Sequence, residues 1–162
     1  MKLKIPFGLA VVVLACCVST AKSQKAASLL DQIAASLPQM DSEWKHKATE
    51  AYKRADGCTQ ASIKWSKGEI DQGATVIIHP TLKSARLAFR RSGKEDLQDD
   101  FRIDGIGDEA FLWPPKAPQG GAFNIRFRRG LVEVWLGTGS EIEVRRYGLA
   151  IVAALATTNK RP

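Results

Sequence analysis

At 162 residues, 44% hydrophobic and 25% charged, the chain can bury one core of its own and is too short for two domains of ordinary size. Three cysteines exclude a disulfide scaffold, and the 33 positions separating His46 from His79 exclude the ligand spacing of a zinc site. The net charge of +7 is spread over Arg86, Arg90 and Arg91, over Arg126, Arg128 and Arg129, and over Arg145 and Arg146, each group close to acids; this argues against nucleic acid as a partner.

The N-terminus is of a different kind from the rest. Lys2 and Lys4 precede the apolar run Ile5 to Val18, and small and polar residues follow, the pattern of a secretory signal peptide. The run is too short to span ~30 Å of hydrocarbon as a helix. Two cuts fit. Val12-Val13-Leu14-Ala15-Cys16 resembles a bacterial lipobox, which makes 1–15 the leader and Cys16 the lipidated residue. Alternatively, Ala21-Lys22-Ser23 supplies small residues for ordinary cleavage, which makes 1–23 the signal peptide and 24–162 a single α+β domain. Either way the expectation is export, to the periplasm, to a membrane through a lipid on Cys16 alone, or into the medium. Removing 1–23 takes away Lys2, Lys4 and Lys22 and no acid, so 21 basic residues face 17 acidic ones and the net charge is +4. Cys58 then has no partner within the domain and reads as a small buried residue.

Leu29, Leu30, Ile33, Ala34 and Leu37 recur at helical spacing and predict a helix that Pro38 stops. Asp41 or Ser42 then caps a predicted second helix, with Trp44, Ala48, Ala51, Tyr52 and Ala55 on one face and Gly57 at its end. From Ala61 the period becomes two: Ala61, Ile63 and Trp65 alternate with polar residues, Lys67-Gly68 turns, and β-branched Thr75 to Ile78 makes a buried strand. Pro80 opens a helix carrying Leu82, Ala85, Ala88 and Phe89 on one side and ending near Arg90, Arg91 and Gly93. Lys94 to Asp104 is the most polar stretch and predicts an exposed connection. A glycine turn at 105–107 feeds a strand up to Trp113, and a loop rich in proline and glycine follows.

Phe123 to Leu136 reads as two alternating runs about an Arg129-Gly130 turn, with Phe127 opposite Val132 and Ile125 opposite Val134 on a wholly apolar face. The other face carries Asn124, Arg126, Arg128, Glu133 and Trp135, with Arg126 opposite Glu133 as an ion pair. Ser140 and Glu143 form a capping box, after which Val144, Tyr147, Gly148, Ile151, Val152 and Leu155 make a helical stripe that fits the apolar face of the hairpin. The predicted fold class is α+β: a mainly antiparallel sheet covered by N- and C-terminal helices, an α/β/α sandwich.

Gly105-Ile106-Gly107-Asp108-Glu109-Ala110-Phe111, then Phe127-Arg128-Arg129-Gly130-Leu131-Val132-Glu133-Val134 and a C-terminal amphipathic helix, resemble a pattern of small exported bacterial α+β proteins, the LpqN-type lipoproteins and relatives with a PsbP-like fold. The resemblance covers the last third of the chain. It implies a central antiparallel sheet covered by helices and a non-enzymatic role, and it carries over no catalytic residue.

No catalytic set emerges from the residues themselves. Asp99, Asp100, Asp104 and Asp108 are interrupted by Phe101-Arg102-Ile103 and do not make a calcium loop. Gly137-Thr138-Gly139-Ser140 is not a nucleophile elbow, and Gly105-Ile106-Gly107 is too short for a phosphate loop. Asp108 and Glu109 could work as an acid and base, but the preferred reading is structural: Asp108 accepts backbone hydrogen bonds in the tight glycine turn and Glu109 pairs with an arginine. The expectation is an exported cell-envelope domain that binds an envelope protein or a small ligand, without metal or cofactor. Trp135, Arg126, Asp108 and Glu109 are its candidate contact residues. The alternative is a small exported, hydrolase-like enzyme whose site is assembled only in three dimensions.

Overall fold

The computed structural model describes residues 8–96, 101–115 and 121–156, with side chains over 24–91, 101–115 and 121–156. Seven strands, β1 (Lys45–Lys53), β2 (Thr59–Lys67), β3 (Ile70–Ile78), β4 (Arg102–Ile103), β5 (Glu109–Trp113), β6 (Phe123–Arg129) and β7 (Val132–Thr138), form one antiparallel sheet in the order β1-β2-β3-β7-β6-β5-β4. Helices α1 (Gly8–Met40) and α3 (Glu141–Ala156) lie on one face, and α2 (Leu82–Asp96) packs toward β7 on the other. The predicted class, an antiparallel α+β sandwich, is the one observed. Among the described residues no helix is long and apolar enough to cross a membrane.

The core lies between the sheet and the α1/α3 layer. From α1 it takes Leu29, Leu30, Ile33, Ala34 and Leu37, the predicted stripe. Pro38 does not end α1 but sits in its last turn. A proline there withholds the N–H that would reach the Ala34 carbonyl. That carbonyl is instead taken by the indole N–H of buried Trp65, at 2.7 Å, so the defect in the helix becomes its anchor to β2.

The predicted second helix is absent, and its residues form strand β1. Asp41 does not cap a helix: its carbonyl accepts from Trp44 N at 3.0 Å and its carboxylate from Glu43 N at 3.1 Å, closing a turn that sends the chain into the sheet. Trp44 is buried ahead of the strand, edge-on to Tyr147 of α3 with ring centroids 5.6 Å apart. Gly57, at φ 81, belongs to the β1–β2 turn. The misreading has a plain cause: β1 is an exposed edge, so it shows no two-residue apolar alternation, and pairing with β2 overrides the helical tendency of its alanines. Lys45, Lys47 and Lys53, with a bulge between His46 and Ala48, protect that edge from pairing with another chain.

Both long hairpins turn one residue later than the sequence suggests. Lys67 pairs with Ile70 about Gly68-Glu69, and Arg129 with Val132 about Gly130-Leu131. In each, glycine takes the first loop position at positive φ (56 and 58), the arrangement of a two-residue turn whose twist matches the strands. The register of β6–β7 therefore shifts by two: Phe127 faces Val134, Ile125 faces Leu136, Arg126 faces Trp135 and Arg128 faces Glu133. A shift of two leaves every residue on its predicted face.

The Ser140 cap is present, with Glu143 N donating to Ser140 Oγ at 3.2 Å. The α3 stripe lands on the hairpin closely enough that a Cβ on Gly148 would sit 3.5 Å from Ile125 Cδ1 and 3.6 Å from Phe127 Cε1. On the far side of the chain's polar stretch, α2 extends to Asp96 and Arg102–Ile103 pair with β5, so less of Lys94 to Asp104 is loop than expected. Residues 97–100 and 116–120, including Asp99, Asp100 and Pro118, lie outside the described residues.

Candidate functional site

The face opposite α1 and α3 divides into a covered half and an open half. In register, Ser62, Thr75, Trp135, Arg126 and Phe111 stand side by side across β2, β3, β7, β6 and β5. One row toward the start of β2 runs Gln60, Ile77, Glu133, Arg128 and Glu109. Helix α2 buries Ala85 and Phe89, with Phe89 over Arg126, whereas Thr75, Asn124 and Trp135 beyond it stay exposed.

Under α2 the sheet carries charge that the sequence presents as a solvated face. Arg126, 2% exposed, reaches Glu133 Oε1 with both Nε and a terminal nitrogen at 2.9 Å. The Trp135 indole donates to the same oxygen at 2.7 Å, and His79 Nε2 lies 3.4 Å from the other. The guanidinium is sandwiched by rings, 4.7 Å from the Phe89 centroid and 4.6 Å from that of Trp135. Burial alone would raise the Glu133 pKa; the bonds from His79 and Trp135 and the Arg126 charge outweigh it and hold the carboxyl below its usual range. Burial lowers the pKa of Arg126, with Glu133 opposing that shift.

The chain of contacts continues to Cys58, whose sulfur lies 3.5 Å from His79 Nδ1. Cys58, His79 and Glu133 thus stand in line as a thiol, an imidazole and a carboxylate. The thiol is 5% exposed, and burial, with the Asp56 carboxylate beside it, pushes its pKa up to about 11. A nucleophilic cysteine needs the opposite shift and an open approach. This alignment escapes a reading by spacing, yet the hairpin contains its signal: once β2 and β3 are paired about Gly68-Glu69, the ladder step beyond Thr59–Ile78 sets Cys58 across from His79.

Asp108 and Glu109 are committed to holding the β6–β7 turn. Asp108 Oδ2 accepts from Arg128 at 2.8 Å and from Gly130 N at 2.9 Å, its Oδ1 accepts from Arg129 at 3.0 Å, and its own N–H donates to the Arg128 carbonyl at 2.7 Å. Glu109 accepts from Arg128 at 3.3 Å. Burial tends to raise the Asp108 pKa, but the Gly130 N–H and the two arginines bring it below the usual carboxylate range. The two histidines are engaged elsewhere, His46 with Thr49 on the edge strand and His79 with Glu133. Among the described residues no group of His, Cys, Asp or Glu is placed to hold a metal.

Of the candidate contact residues, Arg126, Asp108 and Glu109 face partners within the chain, and Trp135 alone presents a large surface, being 42% exposed. It borders an open groove of about 290 Å³ lined also by Ser62, Gly73, Thr75, Asn124 and Gly137. A Cβ at Gly137 would lie 2.5 Å from Asn124 Oδ1, so the Asn124 side chain lies over that glycine. Trp113 stacks beside Trp135 at 6.3 Å between centroids, with Phe111 and Phe89 continuing the aromatic row. Cys16, the lipidation candidate, falls within α1 but outside the described side chains. No family model matches this chain, and no curated protein or solved structure matches it significantly.

Proposed function

We propose that this is an exported cell-envelope domain that acts by binding, with the uncovered half of the sheet around Trp135 as its contact surface. The observation that carries this reading is the pairing of an open groove with an indole half exposed yet fixed by Glu133 and Arg126. Binding sites gain from such fixed aromatic anchors, because little side-chain freedom is left to lose. The basic and apolar N-terminus supports export, and the resemblance of the 105–111 and 127–134 stretches to LpqN-type lipoproteins supports the same location. Among the described side chains of α1 the first buried one is Leu29, so a cut before Cys16 or after Ser23 keeps every described core residue. Hydroxyl-radical footprinting of the full chain with solubilised envelope tests the surface: protection should centre on Trp135 and Thr75, and unchanged labelling there would sink the reading. Intact mass tests the anchor, through a diacylglyceryl adduct on Cys16 or a chain starting at Gln24.

One observation favours the enzymatic alternative, the line Cys58–His79–Glu133. The burial of the thiol and its high pKa count against it. Its test is direct: thiol-ester or amide substrates turned over by the purified protein and lost in Cys58→Ser would establish it, and identical rates in the two proteins would end it.

A further inference from the structure

We infer that the groove beside Trp135 is a subsite for a neutral saccharide ring, an inference that rests on the binding reading above. In a chain where a quarter of the residues are charged, none of the groove's lining residues is. The nearest charges, Lys64 across from Gly73 and Glu50 across from Ser62, lie at the rim and pair with each other at 3.9 Å. An ionic ligand therefore meets a balanced rim, whereas an uncharged polyhydroxylated one recovers its lost hydration by hydrogen bonding to neutral groups of the lining.

The remaining chemistry fits a sugar in shape and polarity. Gly73 leaves bare backbone, giving a trough that a flat ring can approach, while the space over Gly137 is taken by the Asn124 side chain. Trp135 borders the trough; Arg126 lies over one face of its ring and its N–H is bound to Glu133, so what the indole offers the C–H face of a pyranose is its remaining apolar surface. Ser62, Thr75 and Asn124 offer short neutral groups for hydroxyls. The volume of about 290 Å³ falls just below the ~300–1,000 Å³ usual for small-molecule sites, which suits a single ring. An added peptide strand is the poorer fit, because the long exposed edge β1 is guarded by lysines and a bulge.

Gly73 supplies a clean test. Its backbone is not in the left-handed region, and a Cβ there would meet nothing nearer than the Ile63 carbonyl at 3.9 Å, so Gly73→Val should fold normally and fill the trough. The full exported chain is titrated with chitotriose, cellotriose, maltotriose and mannotriose up to about 10 mM, a binding free energy of only about −3 kcal/mol, and read by saturation-transfer NMR and tryptophan fluorescence. At least one trisaccharide should bind, Trp135→Ala should weaken it about tenfold or more, and Gly73→Val should abolish it with the melting temperature unchanged. Binding that persists in both variants overturns the assignment. So does silence from all four sugars; if envelope material still protects Trp135 from footprinting, the saccharide alone is refuted, and if it does not, the binding reading falls too.

Discussion

Glu133→Ala removes the carboxylate that pairs with Arg126 beneath α2 and strands Arg126 at 2% exposure. Breaking a buried pair by deleting one partner typically costs about 3–5 kcal/mol, since the remaining charge stays desolvated. Here Arg126 loses both 2.9 Å contacts, and the Trp135 N–H loses its 2.7 Å acceptor. The flanking rings of Phe89 and Trp135 moderate the loss, because a cation over an aromatic face retains about 0.5–2 kcal/mol of attraction. A cost of about 4 kcal/mol is therefore expected, a large fraction of the 5–15 kcal/mol typical of a whole domain. With a urea slope of about 2 kcal/mol per M, the unfolding midpoint should fall by roughly 2 M. The double variant Arg126→Met/Glu133→Leu removes both charges and should recover most of that loss. A Glu133→Ala protein within about 1 kcal/mol of the parent, or a double variant as unstable as the sum of the singles, would refute the coupling. Acid titration gives a second check. The folded pKa of Glu133 is held below its ordinary 4.5, so its contribution is intact above that pH and is lost as pH falls through the lower folded value; Glu133→Gln should flatten this part of the acid-unfolding curve.

Gly107, at φ 68, would carry a Cβ 2.5 Å from the Arg128 carbonyl, whereas Gly105, at φ 85, has open space around it; Gly107→Ala should cost about 2–4 kcal/mol and Gly105→Ala about 1, by urea unfolding. Trp65→Phe should cost about 1–3 kcal/mol by leaving the Ala34 carbonyl unpaired, and Pro38→Ala in that background should recover part of the loss by restoring the helical N–H. Moving the Cys58 thiol from 9.0 to about 11 lowers its thiolate fraction at pH 8 about a hundredfold, so iodoacetamide labelling mapped to Cys58 should be slower than in urea by at least that factor. The protonated thiol's contribution is complete below pH 9 and is lost as pH rises toward about 11, so alkaline unfolding should be milder in Cys58→Ala.

What the sequence discloses follows from what each element packs against. The α3 stripe and the apolar side of β6–β7 are legible because each meets one continuous apolar surface, and period alone then specifies orientation. Strand β1 is not legible, because an exposed edge has no buried face to impose a period, and Trp44 in front of it mimics the start of a helical stripe. The hairpin turns are legible to within one residue: the glycines are plain, and which loop position they take depends on strand twist. At the site, Trp135 stands out among charges, but the burial of Arg126, Arg128 and Glu133 does not, since among the described side chains α2 buries just Ala85 and Phe89, too narrow a stripe to announce a covered charge. Cys58 and His79 meet through hairpin register rather than any local motif.

The buried charges and the exposed groove belong to one construction. Phe89 seals the guanidinium of Arg126, Arg126 and His79 keep Glu133 ionised, and Glu133 Oε1 holds the indole of Trp135 at 2.7 Å. A carboxylate free in water would hold an indole weakly, because solvent competes for both partners; at 2% exposure that competition is removed and the ring is fixed from below. The placement of α2 allows this, its Phe89 covering Arg126 while Thr75 and Trp135 in the same row stay exposed. The polar groups on this face of the sheet therefore need not be exposed to shape the surface around Trp135. They determine where the one large apolar surface beside the groove is presented.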